Sequence, residues 1–123
     1  MAVSLDEIRR VEADAVCLYA EARVEQTITD LAGQISAQLG DSNPLLLPVM
    51  NGGVVFAGRL LPKLGFPLQV NAINATRYGN TTAGGVIRWL LEPALSLQGH
   101  TVLIVDDVLD EGITLAEIIR YCH

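Results

Sequence analysis

Apolar and polar residues alternate along this chain with two different periods. Val24, Ile28, Leu31, Ile35 and Leu39 recur at steps of three and four, which predicts an amphipathic helix ending near Gly40. A shorter helix is predicted ahead of it, where Ser4 and Glu7 form a capping box and Leu5, Ile8 and Val11 turn inward. Residues 45–50 and 102–105 are instead continuous apolar runs, the pattern of strands buried on both faces, the second strand being expected from Thr101. Leu68, Val70 and Ala72 alternate with Gln69 and Asn71, so an edge strand is expected there. Residues 86–91 predict a further strand, stopped by Pro93.

The connections carry their own signals. Asp41-Ser42-Asn43-Pro44 reads as a turn, and Asn51-Gly52-Gly53 separates the first buried strand from an apolar helix at about 54–64 that stops at Gly65. Residues 75–85, ATRYGNTTAGG, are polar and glycine-rich and read as a mobile loop. From Thr114 a last helix places Leu115, Ile118, Ile119 and Cys122 on its inner side. Helices alternating with strands predict an α/β fold with a mainly parallel central sheet flanked by helices. The 123 residues suit a single domain, 1–123, able to bury a real core. The final helix should return into another strand, so the sheet is expected to be incomplete at the C-terminus.

Composition narrows the function. Half of the residues are hydrophobic, yet the longest uncharged stretch, 42–58, holds two prolines and three glycines and falls short of the ~20 apolar residues of a membrane helix. The acidic N-terminus, MAVSLDEIRR, does not resemble a signal peptide, so no membrane association and a cytoplasmic setting are expected. A net charge of −6 with scattered Lys and Arg argues against nucleic acid. Cys17 and Cys122 lie far apart with only His100 and His123 to accompany them, so neither a zinc site nor a disulfide framework is expected.

Residues 102–114, VLIVDDVLDEGIT, are the point of chemical interest. Asp106, Asp107, Asp110 and Glu111 crowd the end of an apolar strand, where like charges so close are expected to repel one another. Hydroxyl ligands, a metal ion or a proton-transfer role would each give these carboxylates a partner. Gly112 opens a turn, and Thr114 offers a hydroxyl beside the free amides of a helix start, a place suited to a phosphate. An ordinary turn and N-cap would also explain Gly112 and Thr114. Gly52 and Gly53 make a second place where backbone amides can meet an anion. No GxxxxGK[ST] or GxGxxG occurs, so neither a P-loop nor a dinucleotide site is supported.

VLIVDDVLDEGIT resembles the phosphoribosyl diphosphate signature of type I phosphoribosyltransferases. The order of the other segments, with Met50-Asn51-Gly52-Gly53 after a strand and Arg77-Tyr78 in a later loop, is similar to the hypoxanthine-guanine branch. The resemblance implies a Rossmann-like phosphoribosyltransferase fold and a purine salvage glycosyltransferase. Such an enzyme moves the 5-phosphoribosyl group from phosphoribosyl diphosphate to a 6-oxopurine and releases diphosphate. It implies Asp106 and Asp107 on the ribose hydroxyls, directly or through Mg2+, and Asp110 as base or acceptor toward purine N7. Glu111, Gly112, Ile113 and Thr114 would hold the 5-phosphate, and Asn51, Gly52 and Gly53 the diphosphate. Tyr78 would lie in the loop that closes over it, and a homo-oligomer, dimer or tetramer, is expected.

Three departures accompany the resemblance. Asn51 stands where the branch commonly has lysine, and Arg77, where serine is usual, would restore the charge. Glu111 and Ile113 stand where threonine and lysine are typical. A carboxylate about 5 Å from a phosphate costs roughly 3 kcal/mol at an effective dielectric of about 20, so Glu111 is expected to lend its amide and turn its side chain to solvent. The branch's base-reading lysine, stacking aromatic residue and further magnesium-binding acid come after the matching segment, so weak or absent transferase activity and self-association through an uncovered sheet edge are expected of these residues alone. A non-catalytic sensor of phosphoribosyl diphosphate or nucleotides with the same fold is the alternative. LIVDD also resembles a response-regulator receiver domain, but the 16 residues after Asp107, 108–123, leave no room for its later strands.

Overall fold

A computed structural model describes residues 2–78, 86–109 and 112–123, and at 77, 78 and 86 the backbone alone. The elements in order are α1 (Leu5–Asp14), α2 (Glu21–Leu39), β1 (Leu45–Pro48), α3 (Val54–Leu60) with a 3-10 turn (Leu61–Lys63), β2 (Gln69–Val70), β3 (Asn74–Tyr78), β4 (Val86–Leu91), β5 (Val102–Val105) and α4 (Ile113–Cys122). β1 lies between β2 and β5, parallel to both, while β3 and β4 form a separate antiparallel pair. This is the expected parallel sheet flanked by helices.

The first apolar run, β1, is central as its pattern predicts, whereas β5 ends the described sheet and only its Val105 is buried, the other three being half-buried. Leu45, Leu46 and Leu47 have no exposed surface, and full burial of each stabilises by roughly 1.5–3 kcal/mol. Alternation divides the strands between two layers. Leu46 and Val105 face a cluster with Ile28, Ala32, Ile35, Ala57, Leu60 and Leu64 from α2, α3 and the residues after them. Leu47 and Val49 face Ile73 and Ile118, with Trp89, Val102, Ile104 and Cys122 packed around them. α2 and α3 therefore cover one face, and α4 with the β3–β4 pair covers the other.

Several expectations need correction. Ser4 does cap α1, accepting from the Glu7 amide at 3.2 Å, but no α1 residue is buried, and Leu5, Ile8 and Val11 face solvent because no described element packs on that helix. Ala72 is not in a strand, since β2 ends at Val70. Residues 75–78 of the expected loop belong to β3, whose ladder to β4 supplies the order that their polar sequence hides; residues 79–85 lie outside the described residues. On α4, Ile118 is buried but Ile119 is 43% exposed, one residue around the helix from the packed stripe.

Candidate active site

β1 and β5 run in register, Leu45 beside Val102 through to Pro48 beside Val105. Their carboxyl ends therefore finish level, which is where open α/β sheets hold ligands. The Val49 amide extends the pairing by donating to the Val105 carbonyl at 2.8 Å, and the chains then part into two loops. Between the loops lies a cleft of about 400 Å3. Gly52, Asp106, Asp107, Gly112, Ile113 and Thr114 line it, with Val49, Met50, Ala75, Val108, Leu109 and Leu115.

The first loop follows Val49, with a cis peptide between Met50 and Asn51. Gly53 is buried against the sheet, where a Cβ would stand 2.7 Å from the Val105 carbonyl oxygen and 2.9 Å from that of Val49. Gly52 faces the second loop instead: a Cβ there would meet the Asp107 carboxylate at 2.5 Å. The two loops thus touch through a glycine and an acid. Asn51 is exposed and, with Gly53, does not line the cleft.

The second loop begins where β5 ends. Strand alternation would send Asp106 and Asp107 to opposite faces, but the strand stops at Val105 and both acids border the cleft. The Asp107 amide donates to Asp106 Oδ1 at 2.8 Å. Burial raises the Asp106 pKa above the ordinary carboxylate value, opposed by that amide and reinforced by the Asp107 carboxylate. Gly112 then takes φ of 79°, in the left-handed region, and caps α4 without a side-chain bond. The amides of Ile113 to Leu115 are the first of that helix and have no intrahelical acceptor, so they are available to an anion.

The expected site residues are thereby sorted. Asp106, Asp107, Gly112, Ile113, Thr114 and Gly52 come together around one cleft. Asp110 and Glu111 lie outside the described residues. The backbone of Arg77 and Tyr78 ends β3, just beyond cleft-lining Ala75. Sequence reasoning passed over Val108 and Leu109, which are 68% and 71% exposed at the cleft edge. Their signal was an apolar pair set between acids where no strand continues to bury it.

Asp106 and Asp107 offer oxygen donors suited to Mg2+, which binds through one or two carboxylates and completes its shell with water and phosphate oxygens. Burial of the Asp106 carboxyl, with a second acid beside it, leaves a charge that a cation would relieve. Among the described residues no group of three or more His, Cys, Asp or Glu could hold a metal ion unaided. A second hollow of about 440 Å3, between α2 and α3, is lined by Tyr19, Val24, Ile28, Leu31 and Phe56 with Arg23 and Thr27. It has neither acids nor glycine turns, so it is not the candidate site despite its size.

This arrangement agrees with what the chain is similar to. The phosphoribosyl transferase domain family matches residues 17–123. The chain belongs to that family. A phosphoribosyl transferase domain accounts for the parallel order of the sheet and for a cleft beyond β1 and β5. Hypoxanthine-guanine phosphoribosyltransferase from Mycobacterium avium is 33% identical over 113 residues, which make up 86% of this chain and 55% of that protein. A solved hypoxanthine-guanine phosphoribosyltransferase from Bacillus anthracis superposes with a TM-score of 0.81 at 26% identity, covering 87% of this chain and 64% of that one. Hypoxanthine phosphoribosyltransferase from Trypanosoma cruzi, solved with its product IMP, gives 0.76 at 30% identity, covering 85% and 61%. The chain thus spans between about half and two thirds of the length of these relatives.

Proposed function

We propose that this chain carries the phosphoribosyl diphosphate-binding part of a purine salvage phosphoribosyltransferase. The reaction joins a purine ring nitrogen to C1 of the ribose as the C1–oxygen bond to diphosphate breaks. Its substrates would be phosphoribosyl diphosphate and hypoxanthine or guanine. The observation that carries this reading is the single cleft into which Gly52, Asp106, Asp107 and the first turn of α4 converge.

Each group has work suited to its chemistry. The α4 amides and the Thr114 hydroxyl hold the 5-phosphate, with charge-assisted bonds of roughly 1.5–3 kcal/mol each. Asp106 and Asp107 accept from the ribose hydroxyls and would hold Mg2+, whose positive charge would stabilise the leaving diphosphate. The loop of Asn51, Gly52 and Gly53 would meet that diphosphate at Gly52, the member that lines the cleft, Arg77 would compensate for the uncharged Asn51, and Tyr78 would belong to the loop that covers it. Val108 and Leu109 supply apolar surface for a flat base, with Asp110 as acceptor toward N7. The T. cruzi relative's product, IMP, has the hypoxanthine and phosphate that such a cleft would serve. A single domain, self-association and a cytoplasmic setting complete the proposal; no helix among the described residues is long and apolar enough to cross a membrane.

Calorimetric titration of phosphoribosyl diphosphate with Mg2+ tests the binding role directly. Saturable binding that is weakened by Asp107→Asn is expected, and absence of binding would sink the reading. Transfer of labelled phosphoribosyl to hypoxanthine or guanine tests turnover, and binding without transfer would favour the sensor alternative.

A further inference from the structure

The β3–β4 pair stands apart from the parallel sheet, yet it borders the cleft through Ala75. Its root is fixed: the Ile73 amide donates to the Pro48 carbonyl at 3.2 Å, and the Ile73 carbonyl accepts from the Met50 amide at 2.8 Å. A two-stranded ladder is only marginally stable by itself, so its position depends on a second support. That support is α4. Trp89, which faces Ala75 across the ladder, packs its ring 4.6 Å from that of Tyr121, tilted by 38°. Aromatic pairs attract at this spacing. Trp89 also rests on the cluster around Ile118, one turn back on the same helix. The other end of α4 is the turn of Ile113 and Thr114 in the cleft.

We propose that Trp89 and Tyr121 form a clasp that sets where the β3–β4 pair stands over the cleft, making both of them positioning residues for phosphoribosyl diphosphate. One rigid helix then fixes two parts of the site: its first turn holds the phosphate, and its last turn holds the ladder. The inference rests on the functional reading above for the identity of the ligand, but the clasp itself can be tested without it.

The tests are backbone hydrogen exchange and calorimetry on Tyr121→Leu, Tyr121→Phe and Trp89→Phe. Tyr121 is 37% exposed, so the changes there leave the core in place; should Tyr121→Leu not fold, Trp89→Phe, which keeps a ring on the Ile118 cluster, is read in the same way. In Tyr121→Leu, amides of 74–76 and 87–91 should exchange about tenfold faster, and phosphoribosyl diphosphate with Mg2+ should bind about tenfold more weakly. Inorganic phosphate affinity should stay within about twofold, because the α4 turn is untouched, and Tyr121→Phe, which keeps the ring and loses the hydroxyl's hydrogen bond to Glu92, should fall closer to the parent than to Tyr121→Leu. A folded variant whose ladder exchanges as in the parent overturns the clasp. Faster exchange with unchanged phosphoribosyl diphosphate affinity overturns the positioning role. If the parent binds inorganic phosphate but not phosphoribosyl diphosphate, the functional reading fails, and the exchange result alone decides the clasp.

Discussion

The two glycine loops meet in one cleft but need glycine for different reasons. Gly53 has φ of −75°, which any residue adopts, and is required because backbone oxygens stand where a side chain would begin. Gly112 has room around it, with Leu109 Cδ1 3.6 Å from a Cβ, and is required because its φ is 79°. The supports differ as well. α3, after the first loop, is tied to α2 by ion pairs of Arg59 with Glu21 and Glu25, continued by Lys63 with Glu25 at 2.6 Å. α4, after the second loop, is tied to the ladder by aromatic rings. One loop is therefore limited by space, and its helix adds ion pairs to core packing; the other is limited by conformation, and its helix adds an aromatic contact.

Substitutions at the glycines test this contrast. Gly53→Ala should have the largest effect, about 3 kcal/mol, because the backbone it strikes cannot step aside; calorimetry should show a thermal midpoint lower by roughly 10–20 °C. Gly112→Ala should cost about 1–2 kcal/mol, and Gly112→Asn less, since asparagine tolerates positive φ. If Asn is no better than Ala at 112, conformation is not the limit there. Gly52→Ala should cost under ~1 kcal/mol of stability, because the atoms it meets end a flexible side chain. It should nonetheless weaken Mg2+-dependent binding of phosphoribosyl diphosphate by displacing Asp107.

Two smaller effects concern charge. Asp106→Asn should raise the thermal midpoint by about 2–4 °C at pH 7, because it removes a half-buried charge beside Asp107 while keeping an acceptor for the Asp107 amide. A lower midpoint would mean that the charge has a stabilising partner. Hydrogen bonds from Lys63 first, and then from Arg59, hold the Glu25 pKa below its ordinary value. Such a depressed group contributes stability above its unfolded pKa of about 4.3 and loses it as pH falls through the folded value. The parent's thermal midpoint should therefore drop slightly more than that of Glu25→Gln between about pH 5 and pH 3. Equal drops would show that charge does not hold α3.

What could be read from the sequence followed from how local its cause was. β1 was legible because burial on both faces leaves a continuous apolar run, and β5 because its four apolar residues stand between a glycine turn and acids, although it is only half-buried at the end of the described sheet. Asp106, Asp107, Gly112 and Thr114 were legible because one short segment holds them all. The α1 error came from a limit of periodicity, which shows that Leu5, Ile8 and Val11 share a face but not what covers it. β3 was hidden because Asn74–Tyr78 gains its strand form from pairing with β4, and a pairing partner leaves no mark in polar residues. The contact of Trp89 with Tyr121, 32 positions apart, could not be read from either residue alone.

The register of β1 against β5 carries a consequence for how such a site can change. Pro48 lies beside Val105, so loops more than 50 positions apart in sequence leave the sheet at one level. A slip of one residue would move one loop along the other by about 3.3 Å and turn the strand's side chains to the opposite faces. Gly52 would then no longer meet Asp107. The hydrogen-bond ladder acts as a ruler that measures the distance between the two halves of the cleft. Loop residues other than these glycines and acids can therefore change without disturbing that distance, but an insertion within either strand would disturb it.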